Sequence, residues 1–292
     1  MSASGSPYLT SLHIYPLKSC RAVDLRQSAV EPWGLAGDRR WLLVDPDGKF
    51  ITQRAEPSMA RLIVRYLAAA PAAGAGPAAA GPAGSIEVSA DGDTRPPLTI
   101  AAPAEGTGTE MLWVTVWSAK VQAAAAGPAA DAWFTAFLGR PVRLVYLDDP
   151  TRRQVDPEFG APDDRVSFAD GYPLLITSVS SLDALGDWLV ETGDEPVPMN
   201  RFRPNAVVSG TPAWAEDDWH RVRIGAVTFR VAKPCGRCQV TTTDQFTGER
   251  GRQPLRMHGQ RRKFGQSLVF GQNVIPEAPG TLQVGDPFEV IE

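Results

Sequence analysis

The feature that most constrains this chain is its supply of short, alternating segments rich in β-branched and aromatic residues, punctuated by turns of Asp, Pro and Gly. Tyr8 to Pro16 alternates apolar and polar side chains, the pattern of a strand with one buried face. Trp41–Val44 and Phe50–Thr52 are separated by Asp45-Pro46-Asp47-Gly48. There Pro pre-sets the turn and Gly supplies positive φ, so a hairpin is expected. Further strands are expected at Leu62–Tyr66, Ile86–Val88, Leu98–Ile100 and Leu112–Val116, with a turn at Asp91-Gly92. The pattern returns at Val222–Ile224, Val227–Val231, Leu282–Val284 and Phe288–Ile291, the last two joined by Gly285-Asp286. Helical spacing is confined to the middle. Trp133, Phe134, Phe137 and Leu138 follow Asp131 and stop at Gly139 and Pro141, while Leu182, Leu185 and Leu189 follow a Ser180/Asp183 pair that resembles a capping box. Many short strands with few helices give the expected fold class: α+β, β-rich, with barrel-like sheets.

Length admits one large domain or two ordinary ones, at 292 residues. The Ala/Gly/Pro tract over residues 68–85 has no periodicity and no large side chain to bury, so it is expected to be a mobile surface loop. Broken by Pro and Gly, it does not span a bilayer, and no membrane span is expected elsewhere. Met1 to Thr10 lacks the basic start and apolar centre of a secretory signal, so a cytoplasmic location is expected. Three cysteines, Cys20, Cys235 and Cys238, are too few for a disulfide framework. Neither a Walker loop nor a Gly-rich dinucleotide turn follows a strand. The tryptophans at 33, 113, 117, 214 and 219 suit the core, the cleft lining or an interface, with the core the first expectation for large aromatics.

Net charge is only −4, but it is unevenly spread. Between Met199 and Lys263 there are 13 Lys/Arg against 5 Asp/Glu, and between Leu147 and Pro198 there are 3 against 12. A basic lobe suits an anionic ligand. Nucleic acid is not the expected one, because aromatics are not interleaved with the basic residues as a base-stacking platform requires.

Chemistry concentrates in Lys233-Pro234-Cys235-Gly236-Arg237-Cys238-Gln239-Val240-Thr241-Thr242-Thr243-Asp244, where Pro234 and Gly236 break the strand and place both thiols on a loop. A structural zinc site needs four ligands, and His13, His220 and His258 stand at no recognisable spacing to the pair. A thioredoxin-like dithiol opens a helix, whereas Gln-Val-Thr-Thr-Thr is a poor helix start. A third reading is a soft metal held by one thiolate and completed by a cofactor, with Arg237 beside Cys238 to favour the charged sulfur. Spacing does not separate this from two inert thiols.

The segment Pro234 to Asp244 with Thr247-Gly248 resembles the cysteine loop of MOSC domains. Gly265 to Gln272, Pro279 to Asp286 and Asn200 to Asn205 are similar to other parts of that family's signature. His13 to Cys20 and Gly37 to Trp41 resemble the β-barrel domain that precedes MOSC in the molybdenum-dependent amidoxime-reducing family. The resemblance implies an N-terminal barrel-like domain over residues 7–123 and a MOSC domain over 124–292, with a molybdenum–pterin cofactor in the cleft between them. It implies that Cys238 is the metal ligand and the catalytic residue. Lys18, Ser19 and Arg39 fall on positions that hold the pterin and its phosphate, and Asp170, Arg203, Asn205, Gly236 and Arg237 on matched positions around the cofactor. Gly236 stands where some relatives have Ser, which leaves backbone contact only. Arg54 is a further candidate, or else an exposed strand residue. The implied reaction is two-electron reduction of N-hydroxylated or N-oxygenated small molecules, N–O becoming N–H with release of water. Electrons are expected from a separate redox protein, since no cysteines remain for an iron–sulfur cluster. Pyridoxal phosphate is not an expected cofactor. A rival reading is a carrier of the cofactor, or of sulfur as a persulfide, in which Cys235 matters as well. A third is a relative that keeps the fold and binds nothing, against which Lys18, Arg39, Arg203 and Cys238 argue.

Overall fold

The computed structural model describes residues 6–67, 84–103 and 109–292, so the tract expected to be a surface loop lies almost wholly outside the described residues. The fold is β-rich α+β, as expected. Its largest sheet runs, edge to edge, through Phe288–Val290, Arg221–Ile224, Val227–Gly236, Ser267–Pro276, Leu174–Ser178, Ala206–Ser209, Tyr8–Ile14 and Val23–Leu25, with Lys263–Phe264 paired to Ser267–Pro276. Helix α1 spans Pro128–Leu138, α2 Val179–Glu191 and α3 Leu255–Arg261. Leu174–Ser178 and Ala206–Ser209 pair in parallel, and α2 provides the crossover that parallel neighbours need. A second sheet joins Trp41–Val44, Arg143–Tyr146, Ala119–Ala125 and Met111–Val116. Two three-stranded sheets complete the set: Gly280–Gln283 with Gln27–Glu31 and Gly34–Leu35, and Leu62–Tyr66 with Ile86–Ala90 and Leu98–Ile100.

The N-terminal strand sits inside the sheet that the C-terminal half builds. Leu9 pairs with Val208 and Leu12 with Ala206, and both leucines are fully buried with Ile176, Phe229 and Val274. Gln27–Glu31 likewise pairs with Gly280–Gln283. A second core gathers Tyr15, Leu17, Trp41, Leu62, Ile86 and Leu144 around Phe134 of α1. Burying a side chain of that size contributes roughly 1.5–3 kcal/mol. The helix ends where Gly139 takes φ +68°, the left-handed cap that glycine adopts without a steric cost.

Several local expectations are corrected. Helix α2 begins after Ser178, so Ser180 lies within its first turn and no capping box forms; Ser178 itself makes no side-chain cap. The strand expected to end at Val231 continues to Gly236, through register shifts at Val231/Lys233 and Pro234/Gly236. Cys235 is therefore on a strand, and only Cys238 is on the loop beyond it. Phe50–Thr52 is reduced to a bridge between Val44 and Phe50. Trp219 is buried, but Trp113 and Trp117 are 58% and 50% exposed, so the core expectation fails for both.

Candidate cofactor site

One cleft of about 760 Å³, open to solvent, is lined by all nine residues singled out in the sequence: Lys18, Ser19, Arg39, Asp170, Arg203, Asn205, Gly236, Arg237 and Cys238. Arg54, Thr52, Tyr172, Cys235 and Asn273 line it too.

The N-terminal wall is built by the chain leaving the Tyr8–Ile14 strand. Lys18 N donates to the Trp41 carbonyl at 2.9 Å and Trp41 N to that of Pro16 at 3.0 Å, lacing two loops together. Ser19 and Arg39 both hold positive φ, at +73° and +50°. Such backbone costs stability for residues other than glycine, and it persists only where the surroundings impose it. Here the result is that Lys18, Ser19 and Arg39 face one cavity. Gln53 N donates to Ser19 Oγ at 3.2 Å, which leaves the Ser19 hydroxyl proton available to a ligand.

Lys18 is 5% exposed and donates to the Phe168 carbonyl at 2.7 Å and to Asp170 Oδ1 at 2.6 Å. Burial pushes its ammonium down to about 8, against the pull of Asp170. Crowding in the protein would raise the Asp170 carboxyl, but Lys18 and Arg54 outweigh that and hold it well below the usual carboxylate range. Beneath them Arg153 donates to the carbonyls of Ser167, Ala169 and Asp170, fixing the 167–170 loop.

The far wall comes from Met199–Phe202, a single 3₁₀ turn that ends at Arg203 with φ +55°. Arg203 donates to Gln245 Oε1 at 2.8 Å, and its other terminal nitrogen is buried with no partner among the described residues. Arg39 and Arg203 both lie on the Tyr15 ring, at 4.4 and 4.1 Å from its centre. Asn205 ties three segments: its Oδ1 accepts from Arg39 and Leu175 N at 3.2 Å each, and its Nδ2 donates to the His13 carbonyl at 3.1 Å.

The two sulfurs differ in their partners. Arg237, expected beside Cys238, instead donates from Nη1 to the Cys235 sulfur at 2.8 Å and from Nη2 to the Phe202 carbonyl at 2.6 Å. It is Arg54, from the other half of the chain, whose charge is coupled to Cys238 while its Nη2 bonds Asp170 Oδ2 at 3.1 Å. Burial lowers the Arg54 guanidinium, but Asp170 and Cys238 outweigh it and raise it above its ordinary value. Arg54 sits on a turn rather than a strand. A Cβ on Gly236 would meet Ser267 only at ordinary contact distance, so the fold admits a side chain there and the sequence leaves it out.

Two residues that sequence reasoning missed join the halves under the site. Gln53 and Gln245 exchange amide hydrogen bonds, both at 3.1 Å, and both are nearly sealed from solvent. An isolated glutamine carries no sequence signal. Its role exists only because the fold sets one Gln against another.

The donor set fits a phosphorylated pterin carrying a soft metal. Among the described residues, five cationic side chains line the cleft against one carboxylate, that of Asp170, and Arg203 offers a buried donor with no acceptor. A phosphate supplies the missing acceptors in a geometry that guanidinium forks match. Among the described residues no group of three or more His, Cys, Asp or Glu lies together, so a metal beside Cys238 would take its other ligands from the cofactor.

Comparison with known proteins places the chain. Residues 6–141 match the model of the MOSC N-terminal beta barrel domain and residues 163–289 that of the MOSC domain. Mitochondrial amidoxime-reducing component 1 of Homo sapiens is 31% identical over 96% of this chain and 81% of its own length. The protein of that name in Xenopus laevis is 30% identical over 96% and 80%. Molybdenum cofactor sulfurase of Danio rerio is 28% identical over 90% of this chain but only 31% of its own length. Two successive domain matches, and relatives at 30–31% identity that cover 96% of this chain and about four fifths of their own length, have one meaning: this chain belongs to the MOSC proteins with an N-terminal β-barrel domain, the family of the amidoxime-reducing components.

Proposed function

We propose that the protein is a molybdenum-cofactor-dependent reductase of N-hydroxylated and N-oxygenated small molecules, with Cys238 as the protein's metal ligand and catalytic residue. The observation that carries this reading is the pairing, in one cleft, of a thiol with five cationic groups and an orphaned arginine donor. Bound there, the cofactor would supply the two-electron chemistry that converts N–O to N–H. The chain's own residues do the rest. Lys18, Ser19, Arg39 and Arg203 would bind the phosphate and pterin edge, and Asn205 holds Arg39 in place. Arg54 would balance charge at the Cys238 sulfur, and Asp170 keeps Lys18 and Arg54 oriented toward the cavity. Gly236 and Arg237 would lie against the cofactor, Gly236 through backbone alone. Electrons would come from a dissociable redox protein. The human relative is named as mitochondrial, and among the described residues no helix is long and apolar enough to cross a membrane; a cytoplasmic location remains part of the proposal.

A second reading, transfer of the cofactor or of persulfide sulfur, gains support from the sulfurase relatives and from the half-exposed Cys235 sulfur beside Arg237. One experiment separates them. Protein made in a host that synthesises the cofactor is assayed for molybdenum, pterin and amidoxime reduction, alongside Cys238→Ser and Cys235→Ser. The reductase reading expects near-stoichiometric molybdenum, lost with activity in Cys238→Ser and retained in Cys235→Ser. Loaded protein that accepts electrons but converts no N-hydroxylated compound would overturn it.

A further inference from the structure

Trp117 packs on Arg54, a residue of the cleft lining, in a conformation its residue type does not favour. It is the first of two residues closing the hairpin of Met111–Val116 and Ala119–Ala125, and its φ is +56°. Two-residue hairpin turns that need positive φ at this position normally place glycine there, because a Cβ is crowded. A bulky aromatic at such a φ is strained, and the surrounding structure must offset that strain. Burial does not offset it, since the side chain is 50% exposed.

What the ring touches is the site. The Arg54 guanidinium lies 4.6 Å from the Trp117 ring centre, and that same guanidinium bonds Asp170 and is coupled in charge to Cys238. Phe50 lies 5.2 Å from Trp117 at a tilt of 59°. Backbone pairing fixes this placement: Phe50 N donates to the Thr115 carbonyl at 3.1 Å and Thr115 N to that of Gly48 at 2.8 Å. The hairpin tip is thus held against the turn that carries Arg54. An indole with an exposed face, strained backbone and a neighbouring guanidinium coupled to the thiol is suited to stack a flat molecule entering the cleft.

We propose that Trp117 is a specificity-determining residue, a stacking platform beside the cleft-lining Arg54 that favours planar aryl N-hydroxy substrates over small aliphatic ones. The inference rests on the reductase reading for its kinetic test, but binding tests it separately. The substrates are benzhydroxamic acid and acetohydroxamic acid, which share the reacting group and differ in the ring. With chemically reduced viologen as electron source, Trp117→Gly in the cofactor-loaded protein is expected to raise KM for the aryl compound about tenfold, the upper range of one aromatic stack. KM for the aliphatic compound and kcat for both are expected to stay within about twofold, and Trp117→Phe to recover most of the loss. A merely structural role would alter both substrates alike, and so would overturn the proposal.

Calorimetric titration of benzhydroxamic acid into the same loaded proteins is the second measurement. If wild type reduces neither compound, the reductase reading fails, while tighter binding of the aryl compound by wild type than by Trp117→Gly still supports the platform. Equal affinity, or binding to neither protein, overturns it.

Discussion

Lys18 is the cleft residue whose charge changes nearest neutral pH, because burial holds its ammonium at about 8. Of its neighbours, Asp170 is held well below and Arg54 and Arg39 above this range, while burial brings Arg153 down to about 10, so that it begins to lose charge only at the upper end of the interval. An anion in the cleft is therefore met by full charge below pH 8 and by one charge less above it. Cofactor retention after desalting is expected to fall between pH 7 and pH 9.5. Lys18→Gln is expected to weaken it about tenfold at pH 7 and to flatten the pH dependence, since one charge-assisted contact disappears. Undiminished retention at pH 9.5 would remove Lys18 from the binding set. The same scale marks what sequence could and could not supply. Lys18 and Arg39 have no meaningful spacing to each other or to Cys238, so only the resemblance singled them out, whereas the paired cysteines drew attention to Cys238 by themselves. Adjacency misled for Arg237, because a strand that persists to Gly236 turns its guanidinium to Cys235.

Among the elements, α3 carries the clearest physical consequence. Its His258 is fully buried beside the stacked rings of Phe202 and Phe270, and neither ring nitrogen has a hydrogen-bond partner among the described residues. Burial, reinforced by Arg237 and Arg262, lowers its pKa to about 3 from an ordinary 6.5. Between those values the unfolded chain binds the extra proton, so this residue removes stability as pH falls below 6.5. At pH 4.5 the loss is about 2–3 kcal/mol. Urea titrations at pH 7.5 and 4.5 are expected to show His258→Phe losing less than wild type by about that amount. An identical acid loss in both proteins would refute the assignment. Elements differ in legibility for a related reason. Helix α1 could be read because its aromatics recur at helical spacing and a glycine stops it. Leu174–Ser178 could not, because a strand buried along its whole length has no alternation to read. Yet that strand joins the N-terminal Tyr8–Ile14 layer, through Ala206–Ser209, to the strands bearing the cysteine.

At the scale of the molecule, two domain matches do not make two independent folding units. Tyr8–Ile14 lies between Ala206–Ser209 and Val23–Leu25, Gln27–Glu31 pairs with Gly280–Gln283, and Gln53 meets Gln245 behind the cleft. Unfolding the N-terminal half would strip the last two strands from one end of the largest sheet, leaving Ala206–Ser209 unpaired on that side, and expose Leu9 and Leu12. Removing two buried leucines from their partners costs several kcal/mol, a large part of a typical domain's net stability. Scanning calorimetry is therefore expected to give one transition, with calorimetric and van't Hoff enthalpies equal. The cleft is walled by both halves, so a bound cofactor should raise that single transition as a whole, by about 4 kcal/mol when present at 1,000 times its dissociation constant. Two resolved transitions, only one of them moved by the cofactor, would mean that the shared strands do not couple the halves. The site would then belong to one half alone, which the arrangement of Lys18 and Arg54 opposite Asp170 and Cys238 argues against.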